Sequence, residues 1–391
     1  MTTAYIVAAA RTAGGRRGGK LSGWHPVDLA ARVIDELLDR SGCDPAQVED
    51  VIMGCVSQIG EQAFNVARNA VLASRLPESV PGTSIDRQCG SSQQAIHFAA
   101  QAVMSGVHDV VIAAGVESMT RVPMFSPGEL PRKNGMGYYM SPEIRRRYGE
   151  RDFSQFDGAE QIAVKYGFSK DELDRYSLQS HQRALRASEA GAFEREIVAV
   201  EARTADGATG EMHRRDEGIR ANATLEGIAG VKLLREDGRI TAANASQICD
   251  GASGVMIANE AAVKRLGLKP LARIHHMSVM GHDPVIMLEA PVPATQRALA
   301  KAGMRIGDID LYEVNEAFAP VPLAWAQALD ADPERMNVHG GAIALGHPLG
   351  ASGARLMTTL LHALQARGGR YGLQTMCEGG GMANVTIVER L

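Results

Sequence analysis

Charge of one sign is what this chain has least of. Its 41 basic and 45 acidic side chains leave a formal net charge of −4 over 391 residues, so no global basic field exists to hold nucleic acid or an anionic membrane. Cysteine is sparse as well. There are five, and their spacings show no paired framework, which argues against a disulfide scaffold and for free thiols in a reducing compartment. Long apolar runs are missing. Val110 to Val116, among the longest, falls far short of the roughly 20 residues that a bilayer-spanning helix needs. No secretory pattern opens the chain. The arginines before Asp28 faintly suggest a transit peptide, but Tyr5-Ile6-Val7-Ala8 reads as a first strand, and a cytoplasmic location is expected. No Cys/His cluster has zinc spacing and the His275-His276 pair stands alone, so no metal is expected. A P-loop and a dinucleotide fingerprint are absent too.

What is present is ordinary for a globular protein, 45% apolar and 22% charged, with length for roughly two or three domains' worth of core. Glycine is in excess, at 42 residues. That implies many tight turns and places where backbone approaches backbone or ligand closely.

The first and last thirds repeat each other. A helix-period stretch, Val27 to Leu38, ends in Ser41-Gly42, and another, Ala294 to Ala302, ends at Gly303, 261 positions on (303 − 42). Short strand-like runs follow, Val51-Ile52-Met53 and Leu311-Tyr312-Glu313-Val314. At the same offset Cys89-Gly90-Ser91-Ser92 falls opposite Gly350-Ala351-Ser352-Gly353. Each opens a helix-period stretch, and a strand run follows each, Val110 to Ala114 and Tyr371 to Thr375. Strands alternating with helices predict α/β units with mainly parallel, buried sheets. Two copies predict two similar domains packed about a pseudo-twofold axis. Ligands in such sheets gather at the carboxyl ends of strands. Cys89, Cys377 and Asn315-Glu316-Ala317 all fall just after strand runs, so motifs far apart in sequence are expected to converge. Residues 120–248 have no counterpart in the repeat and read as an insertion that covers the site. Helices are expected there near Gly158 and from Ser169, whose Ser169-x-x-Glu172 pattern is a capping box. Arg145-Arg146-Arg147 reads as a solvated face.

Four residues suit chemistry. Cys89 opens a helix, where unpaired N–H groups and positive potential lower a thiol's pKa and can hold an oxyanion. Taken alone, a thiol is more often buried packing. His347, in Gly346-His347-Pro348-Leu349-Gly350, lies on proline-restricted backbone, and a base that activates a thiol must be held rigidly. Taken alone it is a turn histidine. Cys377 precedes Gly379-Gly380-Gly381, whose N–H groups offer a second oxyanion cradle; its bland role is a strand-end core cysteine. Asn315 suits holding a water or orienting His347, or simply capping a turn. Cys43, Cys55 and Cys249 read as packing or surface thiols. Two thiols and an imidazole suit acyl transfer through a thioester, provided one fold gathers them.

Together these motifs closely resemble the thiolase family. The resemblance spans nearly the whole chain: Ile6-Val7-Ala8-Ala9-Ala10-Arg11-Thr12, the Cys89 motif, Val116-Glu117-Ser118-Met119, Asn315-Glu316-Ala317-Phe318-Ala319, the stretch from Asn337 to Pro348, and Cys377 with its glycines. It implies a thiolase-like α/β fold in which duplicated βαβαβαββ halves form a five-layered αβαβα core. The N-terminal half would occupy 1–119 plus 249–270, an inserted loop domain 120–248, and the C-terminal half 271–391.

The resemblance further implies an acyltransferase with coenzyme A as co-substrate and neither prosthetic group nor metal. Cys89 would take the acyl group. His347 would activate it and help form the oxyanion site for the thioester carbonyl, with Asn315 holding the water that completes that site. Cys377 would move the proton at the α-carbon of acetyl-CoA or from the incoming CoA thiol. The N–H groups of Cys89 and Gly379 would hold the tetrahedral intermediate. Ser246, in Ala243-Asn244-Ala245-Ser246, matches a motif along the pantetheine arm, and Arg220 falls where a basic residue meets the nucleotide part. The implied partners are acyl-CoA and CoA, and the implied assembly is a homodimer or homotetramer.

Short-chain members often carry His-Met-Gly before the loop-domain Ala-Glu pair; here Ser154-Gln155-Phe156 precede Asp157-Gly158-Ala159-Glu160. That departure points to degradative cleavage of 3-ketoacyl-CoA with medium, long or bulky acyl groups, steroid side chains among them, rather than to a short-chain acetoacetyl-CoA thiolase. A cysteine acyl-CoA hydrolase would leave Cys377 idle, and a non-catalytic acyl-CoA-binding protein has no need of the set. Ala383 stands where many members have glycine, a small change that activity should survive.

Overall fold

The computed structural model describes residues 2–391. Strand β1 (Ala4–Thr12) leads to helix α1 (Pro26–Ser41), then β2 (Asp50–Gly54), β3 (Gly82–Ile85), helix α2 (Ser91–Ser105) and β4 (Val110–Ser118). An inserted stretch carries α3 (Gln155–Lys165) and α4 (Lys170–Glu189), after which β5 (Cys249–Asn259) returns to the first sheet. The second half follows with β6 (Ala272–Gly281), α5 (Pro291–Ala302), β7 (Leu311–Val314), α6 (Ser352–Arg367), β8 (Tyr371–Glu378) and β9 (Met382–Arg390).

Helix ends follow local chemistry. Pro26 starts α1, where a missing N–H costs nothing. Gly42 ends it at φ 66°, its N–H reaching the Leu38 carbonyl, a conformation that glycine adopts without strain. The Ser169–Glu172 capping box forms at the start of α4. Arg146 and Arg147 are exposed and Arg145 half-buried on the short helix Pro142–Tyr148.

The repeat is structural. β2 and β7 begin at Asp50 and Leu311, α2 and α6 at Ser91 and Ser352, β4 and β8 at Val110 and Tyr371, each pair separated by the same offset. The first sheet runs β1-β5-β4-β2-β3 and the second β6-β9-β8-β7; they join where β1 and β6 pair at Tyr5↔Arg273 and Ile6↔Ala272. These sheets are mixed, which corrects the expectation of mainly parallel ones. β2 is parallel to β3 and β4, and β7 to β8. β5 is antiparallel to β1 and β4, and β9 to β6 and β8. A parallel pair needs a crossover connection, usually a helix. The β8–β9 link is a glycine turn, and its counterpart between β4 and β5 is the insertion.

Three apolar clusters define the layers. Leu29, Val33 and Leu37 of α1 pack on Val51, Ile112 and Met256 of the first sheet. On its opposite face Ile6, Val111 and Val255 meet Ile96 and Val103 of α2 and Met357 and Leu360 of α6. Leu373, Val385 and Ile387 of the second sheet face Val292 and Leu299 of α5. Neighbouring residues of β4, Val111 and Ile112, thus serve opposite layers, as period-two alternation requires. Helices α2 and α6 fill the middle, so the order is αβαβα. Their approach is close: a Cβ on Gly353 would lie 2.2 Å from the Gln93 nitrogen. No helix among the described residues is long and apolar enough to cross a membrane.

Candidate active site

The two middle helices bring their N-terminal turns together, with Ala354 N–H donating to Ser92 Oγ at 2.9 Å. Cys89 stands on the turn before α2 and His347 on the turn before α6. Gln88, immediately before Cys89, has φ 50°, a left-handed conformation that costs a residue with a Cβ about 1–3 kcal/mol. Asp86 holds it by accepting from Gln88 N–H at 2.6 Å, and Ser91 Oγ accepts from Arg87 N–H at 2.9 Å. The turn therefore presents Cys89 rigidly. Four of the five free cysteines are buried; Cys89 is half-buried.

The backbone N–H groups of Cys89 and Gly379 lie close enough to the Cys89 sulfur to favour its thiolate. Sequence position alone predicts a depressed thiol pKa. The structure corrects this: burial foremost, then the carboxylate of Glu378, push Cys89 up to about 12 against those two donors. Ser91, not Cys89, begins the helix, with Gly90 as its cap.

His347 is buried, and its N–H binds the Gln247 carbonyl at 3.0 Å. Its Nδ1 meets Ser352 Oγ and its Nε2 lies 3.4 Å from Asn315 Nδ2. Burial and then Arg355 lower it to about 3, so the ring is neutral at any working pH. Asn315 follows β7, its N–H on the Thr375 carbonyl of β8 at 3.1 Å, and its Oδ1 has no partner among the described residues.

Cys377 is the penultimate residue of β8 rather than lying beyond a strand, and Ala383 is its cross-strand partner. Burial raises its pKa, and the neighbouring Cys89 raises it further, so the two thiols share one field. The glycine run then turns away at φ 82° and 76° for Gly380 and Gly381. Gly379 sits against the Cys89 turn, where a Cβ would come within 2.8 Å of Gln88 Oε1.

Ser246 adjoins this group through its N–H on the Ala317 carbonyl at 2.9 Å. Arg220 does not join it. It is exposed on the insertion, its backbone N–H on His181 Nδ1 of α4 at 3.3 Å.

Sequence reading missed two carboxylates that hold the site together. Glu117 of β4 accepts from the N–H groups of Val56, Ser57 and Gly350 and from Gln62 Nε2, at 2.8–3.0 Å. It ties the first half to the loop after His347. Glu316 accepts from Tyr176 and Ser180 of α4, from Asn337 Nδ2 and from Ile343 N–H, which ties the insertion to the His347 loop. Their signal was an acid inside an apolar run, since buried charge is kept only when it is fully bonded. A third, Glu378, is buried with both oxygens unpartnered among the described residues.

Family models match nearly all of the chain: Thiolase, N-terminal domain, over residues 4–261, and Thiolase, C-terminal domain, over 268–390. The chain is 55% identical to the steroid 3-ketoacyl-CoA thiolase FadA6 of Mycobacterium tuberculosis, over 100% of this chain and 95% of that protein. It is 42% identical to a 3-ketoacyl-CoA thiolase of Pseudoalteromonas translucida over the whole of both. The crystal structure of human mitochondrial 3-ketoacyl-CoA thiolase matches with a TM-score of 0.88 at 38% identity, covering 100% of this chain and 99% of that one.

Proposed function

This chain belongs to the thiolase family of acyltransferases, and from that premise we propose that it cleaves 3-ketoacyl-CoA with CoA through an acyl-Cys89 intermediate. The Cys89 sulfur attacks the 3-keto carbon while His347 Nε2 takes the thiol proton. The bond between the α- and β-carbons breaks, and its electron pair leaves on acetyl-CoA as an enolate. Cys377 protonates that carbon. The CoA thiol then loses its proton to Cys377 and attacks the acyl-Cys89, and Cys89 departs, recovering its proton from His347, as the shortened acyl-CoA forms. His347 and a water held by Asn315 hold the thioester oxygen of the enolate. The N–H groups of Cys89 and Gly379 hold the oxyanion on the acyl carbon; one such donor is worth about 100- to 1,000-fold in rate. The observation that carries this reading is the Cys89 turn packed on Gly379, where a Cβ would come within 2.8 Å of Gln88 Oε1, beside the Cys377 thiol.

The insertion, 120–248, is the part we assign to CoA, with Ser246 along the pantetheine arm and Arg220 toward the nucleotide; the halves divide at 1–119 plus 249–270 and at 271–391. For the acyl group we infer bulk. Phe156 is 39% exposed and lies edge-on to Phe318 at 5.6 Å, an apolar wall beside Asn315-Glu316-Ala317, and one relative is named for steroid 3-ketoacyl-CoA. A homodimer or homotetramer suits the outer strand β3, whose edge is open near the exposed Phe64, since open edges invite pairing. Free thiols suit a cytoplasmic location.

Incubation with a 3-ketoacyl-CoA and mass spectrometry tests the core of this. The wild-type chain should gain the shortened acyl mass on Cys89, and Cys89→Ala should gain none and cleave nothing. CoA-dependent cleavage by Cys89→Ala would overturn the reading, and free acid released without CoA consumption would replace it with a hydrolase. A substrate panel from acetoacetyl-CoA to a steroid side-chain thioester should favour the bulky end.

A further inference from the structure

Glu378 is a buried carboxyl that the reaction above does not use. It neighbours Cys377 in β8, but successive strand residues point to opposite faces, and Glu378 points toward α2. Its Oε1 packs so closely on Gly90 that a Cβ there would sit 2.0 Å from it. Gly90 follows Cys89, so the carboxyl lies under the turn that carries the nucleophile. Neither oxygen has a hydrogen-bond partner among the described residues. Arg87, the nearby cation, directs Nη1 to Met382 Sδ at 3.7 Å instead. The other titratable groups around the carboxyl are the Cys89 and Cys377 thiols, with Glu117 of β4 across Cys89 and the neutral His97 farther along α2 beyond Arg87.

A buried region with one cation on its rim does not hold two anions side by side. We propose that Glu378 is a positioning residue that shares one negative charge with Cys89: the carboxyl must be in its acid form for the sulfur to be held as thiolate. The two groups then titrate as a pair, with the first proton lost mainly from the carboxyl and the second only at much higher pH. Burial, partly offset by Arg87 and by the nearby Asn384 N–H, pushes Glu378 up to about 8, within reach of this exchange. The consequence for turnover is that the supply of thiolate stops growing once Glu378 ionises.

The inference rests on Cys89 being the nucleophile, but its test needs neither CoA nor turnover. Iodoacetamide alkylates thiolate, and Cys89 is the one cysteine that is not buried among the described residues. The rate of carbamidomethylation of the Cys89 peptide is followed from about pH 6 to about pH 10 on the intact protein. In the wild type the rate should climb about tenfold per pH unit up to about pH 8 and then flatten. In Glu378→Gln the climb should continue without a break, equal to wild type below about pH 7 and about tenfold faster at about pH 9. A wild-type profile with no break near pH 8 overturns the proposal without any variant. A break that persists in folded Glu378→Gln assigns the charge elsewhere and overturns it too. Turnover by Cys89→Ala would instead sink the thiolase reading, and the two failures are separate measurements.

Discussion

Ser352 fixes the proton on His347. Its hydroxyl donates to the Pro348 carbonyl at 3.1 Å and has one hydrogen to give, so toward the ring it accepts from Nδ1. This tautomer is assigned from the hydrogen-bond pattern. It leaves Nε2 bare on the side of Asn315, ready to take a proton. Once protonated, the same atom donates to an oxyanion.

Ser352→Ala should therefore free the ring to adopt the other tautomer. Loss of about ten- to a hundredfold in kcat, with KM little changed, is expected from a site where a general base supplies about 100- to 10,000-fold. Ser352→Thr keeps the hydroxyl and should restore most of it. Equal kcat in all three would remove Ser352 from the mechanism.

Cys377→Ala separates the two thiols. The variant should still acquire acyl mass on Cys89 from acetyl-CoA. Exchange of the acetyl-CoA methyl protons with deuterated solvent, read by proton NMR, should fall at least about 100-fold, the scale of a lost acid–base group. Undiminished exchange would assign that proton to another residue.

Glu117→Gln replaces one of the acceptor oxygens with a donor in the middle of four donors. Because each buried donor left unsatisfied costs about 1–3 kcal/mol, denaturant unfolding should show a loss of several kcal/mol. Activity should fall with it, because Gly350 N–H no longer anchors the loop beside His347. A variant as stable as the wild type would show that the bridge between halves is redundant.

Glu313 gives a pH dependence with a definite sign. Burial pushes its carboxyl from the ordinary 4.5 up to about 8. In that window the folded chain holds a proton that the unfolded chain has lost, so stability falls as pH rises from about 4.5 to about 8. His97 and His347, each lowered from 6.5 to about 3, act the other way: the unfolded chain binds their protons, and stability falls as pH drops below about 6.5. Between about 4.5 and 6.5 the acids and the histidines oppose each other. Above that only the acids act. From about pH 6.5 to about pH 8 the wild type should lose about 2 kcal/mol more than Glu313→Gln in urea unfolding, and parallel slopes would refute the assignment.

Much of the architecture was legible because it is periodic. The offset linking Gly42 to Gly303 also links Ser91 to Ser352, and the Ser169 capping box needs no tertiary partner. Sheet polarity was not legible, because a chain that alternates strand and helix says nothing of how β5 and β9 return. The insertion hid one return and a glycine turn made the other. Cys89, His347, Cys377 and Asn315 were recognisable as a set through their motifs. Glu117 and Glu316 lay inside those same motifs and went unread, since a carboxylate's partners are named only when distant loops close on it.

From the chain alone came the repeat, the middle-layer helices and the identity of the thiols and imidazole, because spacing and side-chain chemistry are local properties. The ionisation of those groups belonged to the tertiary structure alone. Helix position predicts an acidic Cys89, yet burial beside Glu378 holds it as a thiol; His347 owes its tautomer to Ser352 and its neutrality to burial near Arg355. Such properties depend on which charges are taken out of water together, and for Cys89 the partner is Glu378, on a strand near the far end of the chain.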